Sequence, residues 1–130
     1  TRTFVAGEPT SEIAEAHAVL ADAQAAARAA IRPGVAAEAI DAAARSVIEA
    51  AGYGEYFIHR TGHGIGLEVH EHPYIVSGNA ELLEPGMAFS VEPGIYVPQR
   101  YGMRIEDIVI CTTDGGKALN DSPRRLAVVG

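Results

Sequence analysis

A chain of 130 residues, 48% hydrophobic and 21% charged, has the length and composition of one globular domain with a core of its own. Its net charge of −7 argues against nucleic acid or an anionic membrane as the main partner, and no apolar run approaches the length of a membrane span. The single cysteine, Cys111, excludes an internal disulfide; within Ile108-Val109-Ile110-Cys111 it reads as a small buried apolar side chain, and a reducing, cytoplasmic setting is expected.

Thr1-Arg2-Thr3-Phe4-Val5 is rich in β-branched and aromatic residues, stops at Gly7 and reads as a strand. Pro9-Thr10-Ser11-Glu12 is a helix-start signal. After it Ile13, Ala16, Leu20, Ala23, Ala27 and Ile31 recur at helical spacing until Arg32-Pro33-Gly34. A second helix is expected from Val35 to Ala51, with Val35, Ala39, Ile40, Ala43, Val47 and Ile48 on one face and Gly52 at its end. The short connection makes the two helices an antiparallel hairpin. Beyond Tyr53 glycine and proline increase. Strands are expected near Phe57–His59, Met87–Val91, Arg104–Cys111 and Leu126–Val129, with turns at Glu84-Pro85-Gly86, Glu92-Pro93-Gly94 and Asp114-Gly115-Gly116. Strand, helix pair, then several strands is an α+β order, with a helix hairpin against an antiparallel sheet.

Four of the five histidines, His59, His63, His70 and His72, fall between positions 59 and 72. Imidazole is the commonest metal ligand and the natural proton carrier near neutral pH, and the glycines around His63 permit close backbone approach. Glu92 ends an apolar strand just before Pro93-Gly94. Glu106 lies within Arg104-Ile105-Glu106-Asp107-Ile108, where strand alternation places it with Arg104, Ile108 and Ile110 and so points it inward. A buried carboxylate needs a partner, and for Glu106 that is either a cation or Arg104; Asp107 is expected on the opposite face in a structural role. One imidazole and two carboxylates suit Mn²⁺, Zn²⁺, Co²⁺ or Fe²⁺ better than Ca²⁺.

In order and approximate spacing, Gly62-His63-Gly64-Ile65-Gly66, Val69-His70-Glu71, Val91-Glu92-Pro93-Gly94 and Arg104-Ile105-Glu106-Asp107 resemble the pita-bread metallopeptidases, among them methionine aminopeptidase, aminopeptidase P and prolidase. His59 and the Arg-Ile-Glu-Asp block resemble the proline-specific branch. The resemblance implies the C-terminal half of a pita-bread fold with its helix hairpin on a curved antiparallel sheet. It also implies hydrolysis of Xaa-Pro bonds, in a dipeptide or a longer peptide, by water activated on two divalent ions, with Mn²⁺ the first expectation. It makes His63, Glu92 and Glu106 metal ligands, and Glu92 also the general acid/base. His70 would contact substrate near the scissile carbonyl, His59 would line the proline pocket, and Arg104 would orient Glu106. Tyr96 would stand behind the ligands, and His72 has no counterpart.

The resemblance implies five protein ligands, and the two aspartates among them would precede Thr1. Residues 1–130 are therefore expected to be the C-terminal portion of a catalytic domain, with the upstream half and an N-terminal domain outside the chain. A fragment of this kind is expected to be inactive alone and to associate with the missing half or with another copy. Two other readings on the same fold are a non-catalytic binding remnant and a creatinase-like amidinohydrolase; retention of His63, Glu92 and Glu106 disfavours both.

Overall fold

Thr10 opens the first helix: its side chain accepts from the Ile13 amide at 3.3 Å, with Glu12 in the first turn where the helix dipole favours an acid. In the computed structural model, which describes all residues from Thr1 to Gly130, this helix, α1, runs Ser11–Ala30, and α2 runs Ala37–Ala50. Gly34, at φ +80°, turns the chain between them, and the helices pack together as the sequence predicts. Ala16, Leu20, Ala23, Ala27 and Ile31 are fully buried. The contact face of α2 is rotated from the expected one. Ala37, Ile40, Ala44 and Ile48 are fully buried with Asp41 beside them, whereas Ala39 is exposed and Val35, Ala43 and Val47 only half-buried. Full burial of each Leu or Ile here contributes roughly 1.5–3 kcal/mol.

Nine short strands follow or flank the helices: β1 Phe4–Ala6, β2 Gly62–Gly64, β3 Glu71–Ile75, β4 Ala88–Val91, β5 Gly94–Val97, β6 Tyr101–Arg104, β7 Asp107–Thr112, β8 Gly115–Ala118 and β9 Ala127–Val129. A five-stranded sheet has the order β3-β2-β4-β7-β8, every neighbouring pair antiparallel. β5 and β6 form a separate antiparallel pair, and β1 and β9 pair in parallel. α1 packs against β4, β5, β6 and β8, closing an α+β core around Phe89, Val91, Ile95, Ile105 and Val109.

Three expectations fail locally. Phe57–His59 is not a strand: a 3-10 turn occupies Gly54–Tyr56 and irregular chain follows, its backbone bonded by a side chain of α2 instead of a ladder. Arg104–Cys111 is two strands, broken at Ile105-Glu106, because Arg104 pairs with Gly94 while Asp107 pairs with Val91. Asp114-Gly115-Gly116 turns only at its start, and both glycines begin β8.

Period-two alternation nonetheless runs through the break from Met103 to Cys111, and its inward face is the opposite of the predicted one. Asp107, Val109 and Cys111 are buried, whereas Glu106, Ile108 and Ile110 are half-buried. Asp107 is the structural member. Fully buried, it accepts from Arg2 Nη2 at 2.7 Å, Arg124 Nε at 2.6 Å and Gln24 Nε2 at 2.9 Å. Burial alone would raise its pKa; the bonds from Arg2, Arg124 and Gln24 outweigh that and hold it below the usual carboxylate range.

Candidate metal centre

Gly62 and Gly64 let β2 pass between its neighbours. A Cβ at Gly62 would run into the carbonyl of Ser90, and one at Gly64 into the carbonyl of His72. That approach carries His63 to the end of β4, where Glu92 leaves the sheet. His63 Nε2 stands 3.2 Å from Glu92 Oε1, both side chains nearly buried. His63 Nδ1 lies 2.9 Å from the Gly64 carbonyl, which can only accept. Nδ1 is thus turned to a backbone acceptor and Nε2 to the carboxylate, and Nε2 is the nitrogen that a divalent cation between the two would take.

Ser90, which the sequence reading passed over, joins the two. Its Oγ accepts from the His63 amide at 3.0 Å and donates to Glu92 Oε1 at 2.8 Å. It shares a strand face with Glu92 two residues on, so period-two alternation was the available signal.

Arg104 Nε lies 3.6 Å from Glu92 Oε2 and 3.9 Å from Glu106 Oε2. These are charge contacts longer than hydrogen bonds, and they put both carboxylates on one guanidinium. The Glu106 head also bonds the Thr1 hydroxyl. Burial acts to raise the Glu106 pKa, and the Thr1 hydroxyl and Arg104 act to lower it. His63 and Glu92 are thus brought together directly and Glu106 through Arg104. No three His, Cys, Asp or Glu side chains cluster tightly enough to hold an ion. The donor set still fits a divalent cation: an imidazole nitrogen opposite one carboxylate, with a second carboxylate on the same arginine.

His70 stacks edge-on against His63, ring centroids 4.5 Å apart, and is exposed on the cleft side. His59 lies edge-on to Tyr96 at 5.4 Å; its Nδ1 donates to the Arg60 carbonyl at 2.7 Å, leaving a buried Nε2 without a partner. Tyr96 thus packs on His59. His72 is exposed and pairs with Glu81. His59, His63, His70, Glu92 and Arg104 line one cleft of ≈ 730 Å³, joined there by Arg60 and Tyr74.

A buried bracket on α2, also missed from sequence, holds the loop before His63. Asp41 accepts from the Thr61 amide at 3.1 Å and the Thr61 hydroxyl at 2.8 Å. Arg45, four residues on, pairs with Asp41 and donates to the carbonyls of Phe57 and His59, each at 3.1 Å. An acid and an arginine at i, i+4 beside an apolar helix face was the signal.

The chain is 62% identical over 129 residues to the probable dipeptidase PepE of Mycobacterium tuberculosis, covering 99% of this chain and 34% of that protein. It is 51% identical over 129 residues to the Xaa-Pro dipeptidase of Lactobacillus delbrueckii, covering 99% of this chain and 35% of that one. The crystal structure of dipeptidase PepE from Mycobacterium ulcerans superposes with a TM-score of 0.96 at 56% identity, over 98% of this chain and 34% of that one. The chain therefore spans about a third of the length of the relatives it matches. The model of metallopeptidase family M24 matches residues 1–113, the stretch that contains both helices, the His63–Glu92 pair and Glu106, and the chain belongs to that family.

Proposed function

We propose that this chain supplies His63, Glu92 and Glu106 to the metal centre of an exopeptidase that hydrolyses Xaa-Pro bonds. The observation that carries the reading is His63 Nε2 3.2 Å from Glu92 Oε1 in a cleft shared with His59 and His70. The names of the similar proteins, dipeptidase and Xaa-Pro dipeptidase, support the substrate class. A pair of divalent cations, Mn²⁺ first among Mn²⁺, Co²⁺, Zn²⁺ and Fe²⁺, would supply Lewis-acid activation of water and of the scissile carbonyl.

The residues of the chain then have distinct tasks. Glu92 takes a proton from the attacking water and delivers it to the proline nitrogen, whose departure from a tertiary amide depends on that protonation. Ser90 and Arg104 hold the two ends of the Glu92 carboxylate, and Arg104 keeps Glu106 beside it. His70, edge-on to His63, has the task of donating to the developing oxyanion. His59 and Tyr96 form an edge against which a proline ring packs.

Phe4, Ile58, Leu67, Val69 and Val128 leave apolar side chains in solvent, which fits association with further polypeptide in the working enzyme. The experiment is hydrolysis of alanyl-proline and alanyl-alanine by the full-length protein, with Mn²⁺ and after chelation. The reading predicts Mn²⁺-dependent cleavage that prefers alanyl-proline. Cleavage that survives chelation, or no cleavage of alanyl-proline with any of the four metals, contradicts it.

A further inference from the structure

Glu92 and Glu106 each stand one residue past the last rung of the β4–β7 ladder, the pair formed by Val91 and Asp107. Both carboxylates therefore take their positions from that rung. Glu92 has a second hold, its amide donating to the Thr61 carbonyl at 2.7 Å. Glu106 lies in the gap between β6 and β7, outside any ladder. Its amide donates to the Thr1 carbonyl at 3.1 Å, and its carbonyl accepts from Arg2 Nη1 at 2.7 Å.

The rung is fixed from behind by the buried Asp107 side chain. Oδ1 takes Arg2, while Oδ2 takes Gln24 of α1 and Arg124, the last through Nε at 2.6 Å. Arg28 Nη1, 3.8 Å from Oδ2, is too far away to hydrogen bond. Arg124 belongs to a segment, Leu119 to Arg124, that contributes nothing to the cleft but is tied to β7 and Arg2. The Leu119 amide donates to the Ile108 carbonyl at 2.8 Å, Asn120 Oδ1 accepts from the Ile108 amide at 2.7 Å, and the Pro123 carbonyl accepts from Arg2 Nε at 2.9 Å. A short hydrogen bond between charged groups is strong and directional, so Arg124 fixes where the Asp107 head lies, and Glu106 is the next residue along the chain.

We infer that Arg124, outside the cleft, is a positioning residue for the metal centre: by holding Asp107 it sets where the Glu106 carboxylate stands relative to Glu92 and His63. This assignment rests on the reading above that Glu106 is a metal ligand. Charge alone acts in the opposite direction. Removing a cation near a divalent ion strengthens binding of that ion, whereas displacing one of its ligands weakens it. The sign of the change therefore separates positioning from a field effect.

The test is calorimetric titration of the full-length wild type, Arg124→Ala and Arg124→Gln with Mn²⁺, with thermal melts and with alanyl-proline hydrolysis at saturating Mn²⁺ in parallel. Asp107 keeps Arg2 and Gln24 in both variants, so its buried charge stays paired. Glutamine loses the charge as alanine does, but its side-chain nitrogen stands where Arg124 Nε stands and can keep the bond to Asp107. Arg124→Ala is expected to weaken Mn²⁺ binding by about tenfold, the low end of the loss for an outer partner of a metal ligand, because it acts through one further residue. At saturating Mn²⁺ its kcat should fall by about tenfold with KM within about threefold, since a displaced ligand disturbs the reacting geometry more than ground-state binding. Arg124→Gln should stay within about threefold of wild type in both measurements, as expected when the hydrogen bond survives. Wild-type or tighter Mn²⁺ binding by Arg124→Ala, equal losses in the two variants, or a lowered melting temperature with affinity and kcat unchanged overturns the positioning role and leaves the peptidase reading intact. Weaker Mn²⁺ binding by Arg124→Ala than by Arg124→Gln, with no cleavage of alanyl-proline by wild type, upholds the positioning role and overturns the peptidase reading.

Discussion

Arg45 Nη2 donates to the carbonyl oxygen of His59 at 3.1 Å, and through that bond α2 holds the loop that leads into His63. The same guanidinium reaches the Phe57 carbonyl, lies over the Phe57 ring at 4.1 Å and neutralises Asp41, which is 1% exposed and takes both donors of Thr61.

Replacing Arg45 by alanine strands Asp41 in the interior. Breaking a buried pair in this way costs about 3 kcal/mol, the low end of the range because the Arg45 side chain keeps 26% of its surface in solvent. Urea unfolding should register that loss, with a smaller loss in Arg45→Lys, which keeps the charge but not the fork. An unfolding midpoint unchanged in Arg45→Ala would show that the bracket does not hold the loop.

Ser90→Ala removes the hydroxyl between the His63 amide and Glu92 Oε1. Losing an outer partner of a metal ligand typically lowers affinity by about 10- to 100-fold, so Mn²⁺ binding should weaken by at least about tenfold. The stability cost should be only about 1–2 kcal/mol. Calorimetric titration with Mn²⁺ separates the two effects; wild-type affinity in a folded Ser90→Ala protein would remove Ser90 from the site.

The helix hairpin was legible because alanine-rich, 3.6-periodic segments bounded by Thr10, Pro33 and Gly52 express helix locally. The candidate ligands were legible because glycine around His63 and proline after Glu92 mark where the chain must bend. The strands β2 and β3 were not. Gly62-His63-Gly64 has no strand propensity, and it pairs only because its glycines fit between the carbonyls of Ser90 and His72. The face of Glu106 was misjudged for a different reason. Both alternating faces of this stretch carry apolar residues, and Ile105, Val109 and Cys111 take the core while Asp107 is buried among the side chains of Arg2, Gln24 and Arg124. Asp41 and Arg45 looked like an ordinary helix pair, since their contacts with Phe57, His59 and Thr61 are tertiary.

His17 predicts a pH dependence unconnected with the metal site. It is 5% exposed on α1, its Nε2 has no hydrogen-bond partner, and burial lowers its pKa from the ordinary value of 6.5. The unfolded chain therefore binds a proton at His17 at a pH where the folded chain does not. The stability it confers is fully present above about pH 6.5 and declines as pH falls from there toward the depressed folded value. His17→Gln should flatten that part of the acid limb in urea unfolding at pH 5 to 7. An unchanged slope would show that His17 is not held neutral.

The most direct measurement is Mn²⁺ binding by the full-length protein, compared among wild type, His63→Ala and Glu92→Gln, with thermal melts to confirm that each variant is folded. If the His63 imidazole and the Glu92 carboxylate share a cation, each variant loses one equivalent of Mn²⁺ or binds it at least about tenfold more weakly, as expected when a coordinating group is removed. Equal stoichiometry and affinity in all three folded proteins would contradict the account.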